Sequence, residues 1–154
     1  MSFQTVEIET TRSAGDVYAA LCRYEEFPRY APDLISVEVE KDRSHWVLAF
    51  RGNRVSWTQA DQGLLHQRTR EFEQTDGDFV TLAGSWRVEA RSSSASLVRF
   101  QVSYGTSVAH LAGAIDPMIG RVLVRTVCDI VSGVCPGSRI VKGGELRHDL
   151  TPTG

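Results

Sequence analysis

Between Met118 and Val134 the polar residues Arg121, Arg125, Asp129 and Ser132 recur at steps of four, four and three. Nearly everything between them is apolar: Ile119, Val122, Leu123, Val127, Ile130, Val131 and Val134. That spacing predicts an α-helix with one narrow wet stripe. A cylinder that is apolar around most of its girth cannot rest on a flat surface with its back to water. It needs a concave partner. Asp116-Pro117 predicts the helix start, with an acidic N-cap and proline at the first helical position. Gly133 and Cys135-Pro136-Gly137 predict its end.

The partner lies upstream. Phe3 to Thr10 is strand-like, and Ser13-Ala14-Gly15-Asp16 has the form of a capping box. Val17, Ala20, Leu21 and Tyr24 follow at helical spacing, predicting a helix from Ala14 to about Arg23. Pro28 and Pro32 restrict the next segment to a single helical turn carrying exposed aromatics. Six strand-like stretches then run in sequence: Leu34–Lys41, His45–Arg51, Arg54–Asp61, Gln67–Glu73, Phe79–Glu89 and Leu97–Tyr104. Turn chemistry separates them, at Asp42-Arg43-Ser44, Gly52-Asn53, Asp61-Gln62-Gly63, Asp76-Gly77-Asp78 and Arg91–Ser96. These gaps are too short for helical crossovers, so the sheet is expected to be an antiparallel meander. A shorter helix over Ser107–Ala112 is expected before the long one. Two arrangements satisfy this order: a curved sheet around one helix with a cavity left between them, or an α+β domain of two filled layers.

The chain of 154 residues is the size of one domain, and 42% hydrophobic content can bury a core. The expected domain is 1–137, with 138–154 as a flexible tail. A net charge of −2 argues against nucleic acid or an anionic membrane as partner. No apolar run approaches the roughly 18 residues of a membrane span. The N-terminus reads as mature structure, and three cysteines (Cys22, Cys128, Cys135) without metal-type spacing suggest a reducing cytoplasm.

Strand alternation assigns side chains to the concave face. Trp57 is expected inward with Val55, Gln59 and Asp61. Trp46, Leu48 and Phe50 follow on a second strand, Gly84, Trp86 and Val88 on a third, and Phe100, Val102 and Tyr104 on a fourth. The predicted lining is aromatic with few polar groups, which suits a flat, largely apolar ligand bearing carbonyl or hydroxyl groups. The same aromatics would serve equally well as packing against the helix. Asp61 is either a desolvated acid able to move a proton or the wet first residue of a turn. Arg70 either holds a carboxylate, phosphate or enolate oxygen, or faces out towards Glu89 or Glu73. Tyr30 and Tyr24 either gate the entrance or cap the core. His45, His66, His110 and His148 are scattered, with no metal-binding spacing, and no nucleophile elbow or phosphate loop is present. Any reaction here is expected to be cofactor-free and metal-free.

Val17-Tyr18-Ala19-Ala20-Leu21 with Tyr24 to Pro32, then Trp57, Gly84-Ser85-Trp86-Arg87-Val88 and Val98 to Tyr104, resemble the helix-grip superfamily of Bet v 1-like and START-like domains. Within it, the resemblance is to the bacterial polyketide cyclase/aromatase family, over about residues 3 to 134. It implies an α+β helix-grip fold: a curved antiparallel sheet wrapped around a long C-terminal helix, with two short helices and an internal cavity. It also implies a cofactor-free aldol-type cyclisation and dehydration of a poly-keto chain, in which the protein mainly orients the chain. Trp57 and Trp86 match inward pocket tryptophans of the tetracenomycin-type enzymes, and Phe27 and Phe100 match pocket aromatics. Two polar matches fail: Asp61 stands where those enzymes have an arginine, and Leu34 where they have a tyrosine. The candidate catalytic residues are thus Asp61, Arg70 and Gln59. The candidate substrate-binding residues are Trp57, Trp86, Trp46, Phe27, Tyr30, Phe100 and Tyr104. The expected partner is a hydrophobic, polyketide-like small molecule, with an acyl carrier protein if the substrate is carrier-bound; the protein itself is expected as monomer or homodimer. The alternative is a carrier that sequesters a quinone, lipid or polyketide product without catalysis.

Overall fold

A computed structural model describes residues 2–106 and 112–143, with the backbone alone for 112–116. The eight strands among the described residues are β1 (Ser2–Thr10), β2 (Leu34–Val39), β3 (Arg43–Phe50), β4 (Asn53–Leu64), β5 (Thr69–Gly77), β6 (Phe79–Ser92), β7 (Ala95–Thr106) and β8 (Arg139–Lys142). They form one sheet in the order β2-β3-β4-β5-β6-β7-β1-β8. Every neighbouring pair is antiparallel. Helix α1 (Ala14–Leu21) and a 3-10 helix (Tyr24–Arg29) connect β1 to β2, and α2 (Ala112–Val134) follows β7. This is the helix-grip arrangement.

Local chemistry explains each boundary. Ser13 caps α1 by accepting a hydrogen bond from the Asp16 amide at 3.3 Å. Arg51 and Gly52 both take positive φ, 52° and 79°, which makes a primed hairpin turn whose twist matches β3 and β4. On α2, Val122, Leu123, Val124, Thr126, Val127, Cys128, Ile130 and Val131 are buried, while Arg121, Arg125 and Asp129 are partly exposed and Ser132 exposed. The wet stripe therefore runs where the sequence places it. It is anchored as well: Arg125 pairs with Asp33 at 2.6 Å, and Arg12 donates to the terminal carbonyl of Val134 at 3.1 Å, a cation at a helix C-terminus.

Four expectations are corrected. Helix α2 begins at Ala112 and carries Pro117 inside it, so Asp116-Pro117 does not mark its start. Proline's fixed φ is helical, and the single amide bond it forfeits falls close to the helix start. Apart from Ala112 itself, the short helix expected at Ser107–Ala112 lies outside the described residues. Asp61-Gln62-Gly63 is not a turn, because β4 continues to Leu64 and the chain reverses at Leu65–Gln67. Tyr24 and Phe27 on the 3-10 helix are buried, not exposed. At the C-terminus, Arg139–Lys142 pairs with β1 as an edge strand, so the segment counted as tail from Ser138 includes sheet; residues 144–154 lie outside the described residues.

Candidate functional site

The inner face of the sheet carries a continuous aromatic layer. Trp46 and Trp57, opposite one another on β3 and β4, have ring centroids 5.9 Å apart and planes 7° from parallel. Phe27 packs edge-on to Trp46 at 6.0 Å and tilted against Trp86 at 5.8 Å. Trp86 meets Phe100 at 4.7 Å. Gly84 lies between Phe72 on β5 and Val102 on β7, and a Cβ there would strike the Phe72 ring and the Gln101 carbonyl. Its missing side chain lets Phe72 reach Phe100 in a stack at 6.0 Å.

Two indole N–H groups feed one carboxylate. Trp46 donates from Nε1 to Ser44 Oγ at 2.8 Å, and Ser44 donates to Asp61 Oδ2 at 2.7 Å. Trp57 donates from Nε1 to Gln59 Oε1 at 2.8 Å, and Gln59 donates from Nε2 to Asp61 Oδ1 at 2.7 Å. Both oxygens of Asp61 are thereby engaged, and both of these indole donors are satisfied within the protein. Burial pushes the Asp61 carboxyl above its ordinary range, and Asp42 adds to the rise; the Ser44 and Gln59 hydrogen bonds and the Arg70 charge oppose it.

Between α2 and this layer lies a cavity of about 40 Å³. Its walls include Leu34, Trp46, Trp57, Trp86 and Phe100 from the sheet side, and Leu123, Thr126, Val127 and Ile130 from α2. Gln59 and Thr126 are the polar residues of the lining. The Thr126 hydroxyl is buried without a hydrogen-bond partner, a state that costs about 1–3 kcal/mol. The cavity is real but small: it has room for a few water molecules, whereas ligand pockets run to roughly 300–1,000 Å³. A guest the size of a fused ring must therefore displace α2 or the ring layer. A larger depression of about 700 Å³ lies on the outer face of the sheet, around Phe3, Ala60, Glu71, Glu73, Ala83 and Ser103. It is open to solvent and has no second wall to strip water from a ligand, so it is the weaker candidate. Asp61 borders this depression and does not line the inner cavity.

At the end of the layer closed by α1 and the 3-10 helix, the Arg70 guanidinium carbon lies 4.6 Å from the centre of the Tyr24 ring. Tyr24 also packs edge-on to Trp46 at 5.2 Å. Burial pushes the Tyr24 hydroxyl far above its ordinary range, opposed by the Arg70 charge. Tyr18, on the same side, donates to the Thr69 carbonyl at 3.2 Å.

The structure thus brings together most of the residues predicted from alternation. Trp46, Trp57, Trp86, Phe100 and Gln59 line the cavity. Phe27 backs the tryptophans from behind, and Asp61 and Arg70 lie at the rim. Tyr30 and Tyr104 do not line it. Tyr30 packs on α2 at Gly133, and fully buried Tyr104 reaches Gly120, where its hydroxyl accepts from Gln4 at 3.4 Å. Tyr104 ties the helix to β7, and Tyr30 ties it to the segment after the 3-10 helix. Ser44 and Thr126 were missed. Ser44 sits two residues before Trp46 on the inward parity, and Thr126 is three residues from Leu123 on the buried helix face; each spacing carried the signal.

Comparison with protein families matches residues 10–131 to the family described as polyketide cyclase/dehydrase and lipid transport. No curated protein matched the chain. Among solved structures, a protein from Thermus thermophilus is similar with a TM-score of 0.77 and 17% identity, over 97% of this chain and 100% of that one. The Zhui aromatase/cyclase from Streptomyces sp. R1128 follows at 0.75 and 12%, covering 86% and 94%. A START superfamily protein from Mycobacterium smegmatis gives 0.74 and 10%, covering 85% and 94%. At these identities the structures support the helix-grip fold alone. With the family match spanning most of its length, the chain belongs to the polyketide cyclase/dehydrase and lipid transport family.

Proposed function

We propose that this protein binds a flat, largely apolar small molecule bearing carbonyl or hydroxyl groups between α2 and the sheet. The observation that carries the reading is the cavity itself: three indoles and Phe100 on one side, valine and leucine on the other, and one buried hydroxyl, Thr126, left without a partner. A ligand oxygen beside Thr126 would relieve the cost of that orphan, while the rings would supply dispersion contact over a flat guest. Opening the layer exposes apolar surface that the guest then covers, so binding and opening are coupled. Because Asp61 and Arg70 stay at the rim, the inner surface favours sheltering a ligand over reacting with it.

A hydroxylated anthraquinone titrated against the protein should quench tryptophan emission saturably, since Trp46, Trp57 and Trp86 all reach the cavity. Native mass spectrometry of the purified protein should in addition retain a small molecule. Neither quenching nor retained mass would remove the reading.

A second reading, cofactor-free ring closure of a poly-keto chain, is supported by Asp61, whose raised proton affinity suits an acid–base role at the rim, and by the aromatase/cyclase name of one structural neighbour. In such a step a methylene between two carbonyls loses a proton, and its carbon attacks a distant carbonyl. That oxygen takes up a proton, and water then leaves. Asp61→Asn should abolish turnover while leaving a ligand bound in the inner cavity; unchanged turnover removes Asp61 from the reaction.

A further inference from the structure

Arg70 and Tyr24 carry polar atoms that the fold does not use. Arg70 Nε and Tyr24 Oη are both buried, and neither has a hydrogen-bond partner. Tyr24 is 1% exposed. The Arg70 guanidinium carbon lies 4.6 Å from the centre of the Tyr24 ring, a cation–π contact that does not consume the guanidinium's N–H donors. Among the described residues Arg70 forms no ion pair within 4 Å, although Arg23, Arg29, Arg87, Arg99, Arg125 and Arg139 all do. The groups near it are the Tyr24 hydroxyl, the Cys22 thiol, a weak acceptor, and the Tyr18 hydroxyl and Asp61. Both oxygens of Asp61 are already taken by Ser44 and Gln59. A half-buried cation with a free in-plane donor, next to a buried hydroxyl with none, is what a guanidinium fork presents before it meets a carboxylate.

We propose that Arg70 and Tyr24 form a subsite for an anionic oxygen group of the ligand, a carboxylate above all, so that the preferred guest is a flat aromatic acid. The inference rests on the proposed binding of a flat guest between α2 and the sheet, and it narrows the ligand class. Arg70 lies directly opposite Trp86 across the β5–β6 ladder, and Tyr24 touches Trp46. Both indoles line the cavity. An acid group at this rim therefore leaves the ring system in register with the cavity wall.

The test compares 2-naphthoic acid with methyl 2-naphthoate at pH 7, read by tryptophan quenching in the full chain. The wild type should bind the acid about tenfold or more tightly than the ester, the scale of one or two charge-assisted hydrogen bonds. Arg70→Gln should bring the acid/ester ratio to within about twofold of one. Tyr24→Phe, which keeps the ring and removes only the hydroxyl, should lower it severalfold, and it serves if Arg70→Gln does not fold. Equal binding of acid and ester by the wild type, or a ratio unmoved by both variants, overturns the subsite and leaves the cavity reading standing. Binding of neither probe overturns both.

Discussion

Asp61 sits where two hydrogen-bond chains end, and its ionisation is tied to the stability of the fold. Its carboxyl is raised in the folded state above the ordinary value of 3.8. Between those two values the folded protein holds more protons than the unfolded chain, so stability falls as pH rises through the window. Above the window the charged, partly desolvated carboxylate is a standing cost. Thermal melts from pH 3.5 to pH 8 should show this decline in the wild type and a shallower one in Asp61→Asn; parallel curves would contradict it. Gly84 offers a second residue-scale test. Gly84→Ala places a methyl against the Phe72 ring and the Gln101 carbonyl, so it should cost about 1–3 kcal/mol in chemical denaturation, as overpacking does. An unchanged midpoint would mean that the Phe72–Phe100 stack is loose. Alternation alone was enough to read Trp46, Trp57, Gln59 and Trp86 onto one face, because a strand's period of two fixes parity from a single large apolar residue. The bonding of Asp61 was not legible. It depends on β3 and β4 pairing with Ser44 opposite Gln59, a register that no local spacing encodes. Arg70 was equally undecidable, since its direction depends on where Tyr24 lands.

Among the elements, α2 was the most legible because its pattern runs over more than four turns, and each polar residue repeats the same vote. Its start was misread: Pro117 has helical φ anyway, so the proline cue at the first position cannot separate a start from an early interior site. The helix should tolerate nothing charged on its packed side. Val127→Asp places an unpaired carboxylate against the ring layer and should unfold the domain, a loss of several kcal/mol; a folded, soluble variant by circular dichroism would overturn the packing. Strand β8 escaped notice because Arg139–Lys142 is only four residues long and lies among glycines and charges, with burial limited to Ile140. Its pairing protects the backbone edge of β1. Ending the chain after Gly137 should therefore speed amide exchange on β1, read by hydrogen–deuterium exchange, without melting β3 to β6. Unaltered exchange on β1 would mean that β8 contributes no protection.

For the whole molecule, the order of elements decided the architecture. Short turns require an antiparallel meander, and a helix apolar around most of its girth requires that meander to curve. How much space remained between them was beyond the sequence, because it is a small difference between two large volumes. The structure puts it at about 40 Å³, a closed state whose rings satisfy one another and whose Thr126 hydroxyl does not find a partner. Function then depends on the layer parting for a guest. The most direct measurement is an NMR titration of protein labelled at the tryptophan indoles and at valine and leucine methyls, with methyl 2-naphthoate as probe. Saturable shifts are predicted at the indoles of Trp46, Trp57 and Trp86 and at the methyls of Leu123 and Val127, with exposed Val80 unmoved. Indole and methyl signals of these five residues that stay unmoved at every probe concentration would contradict it.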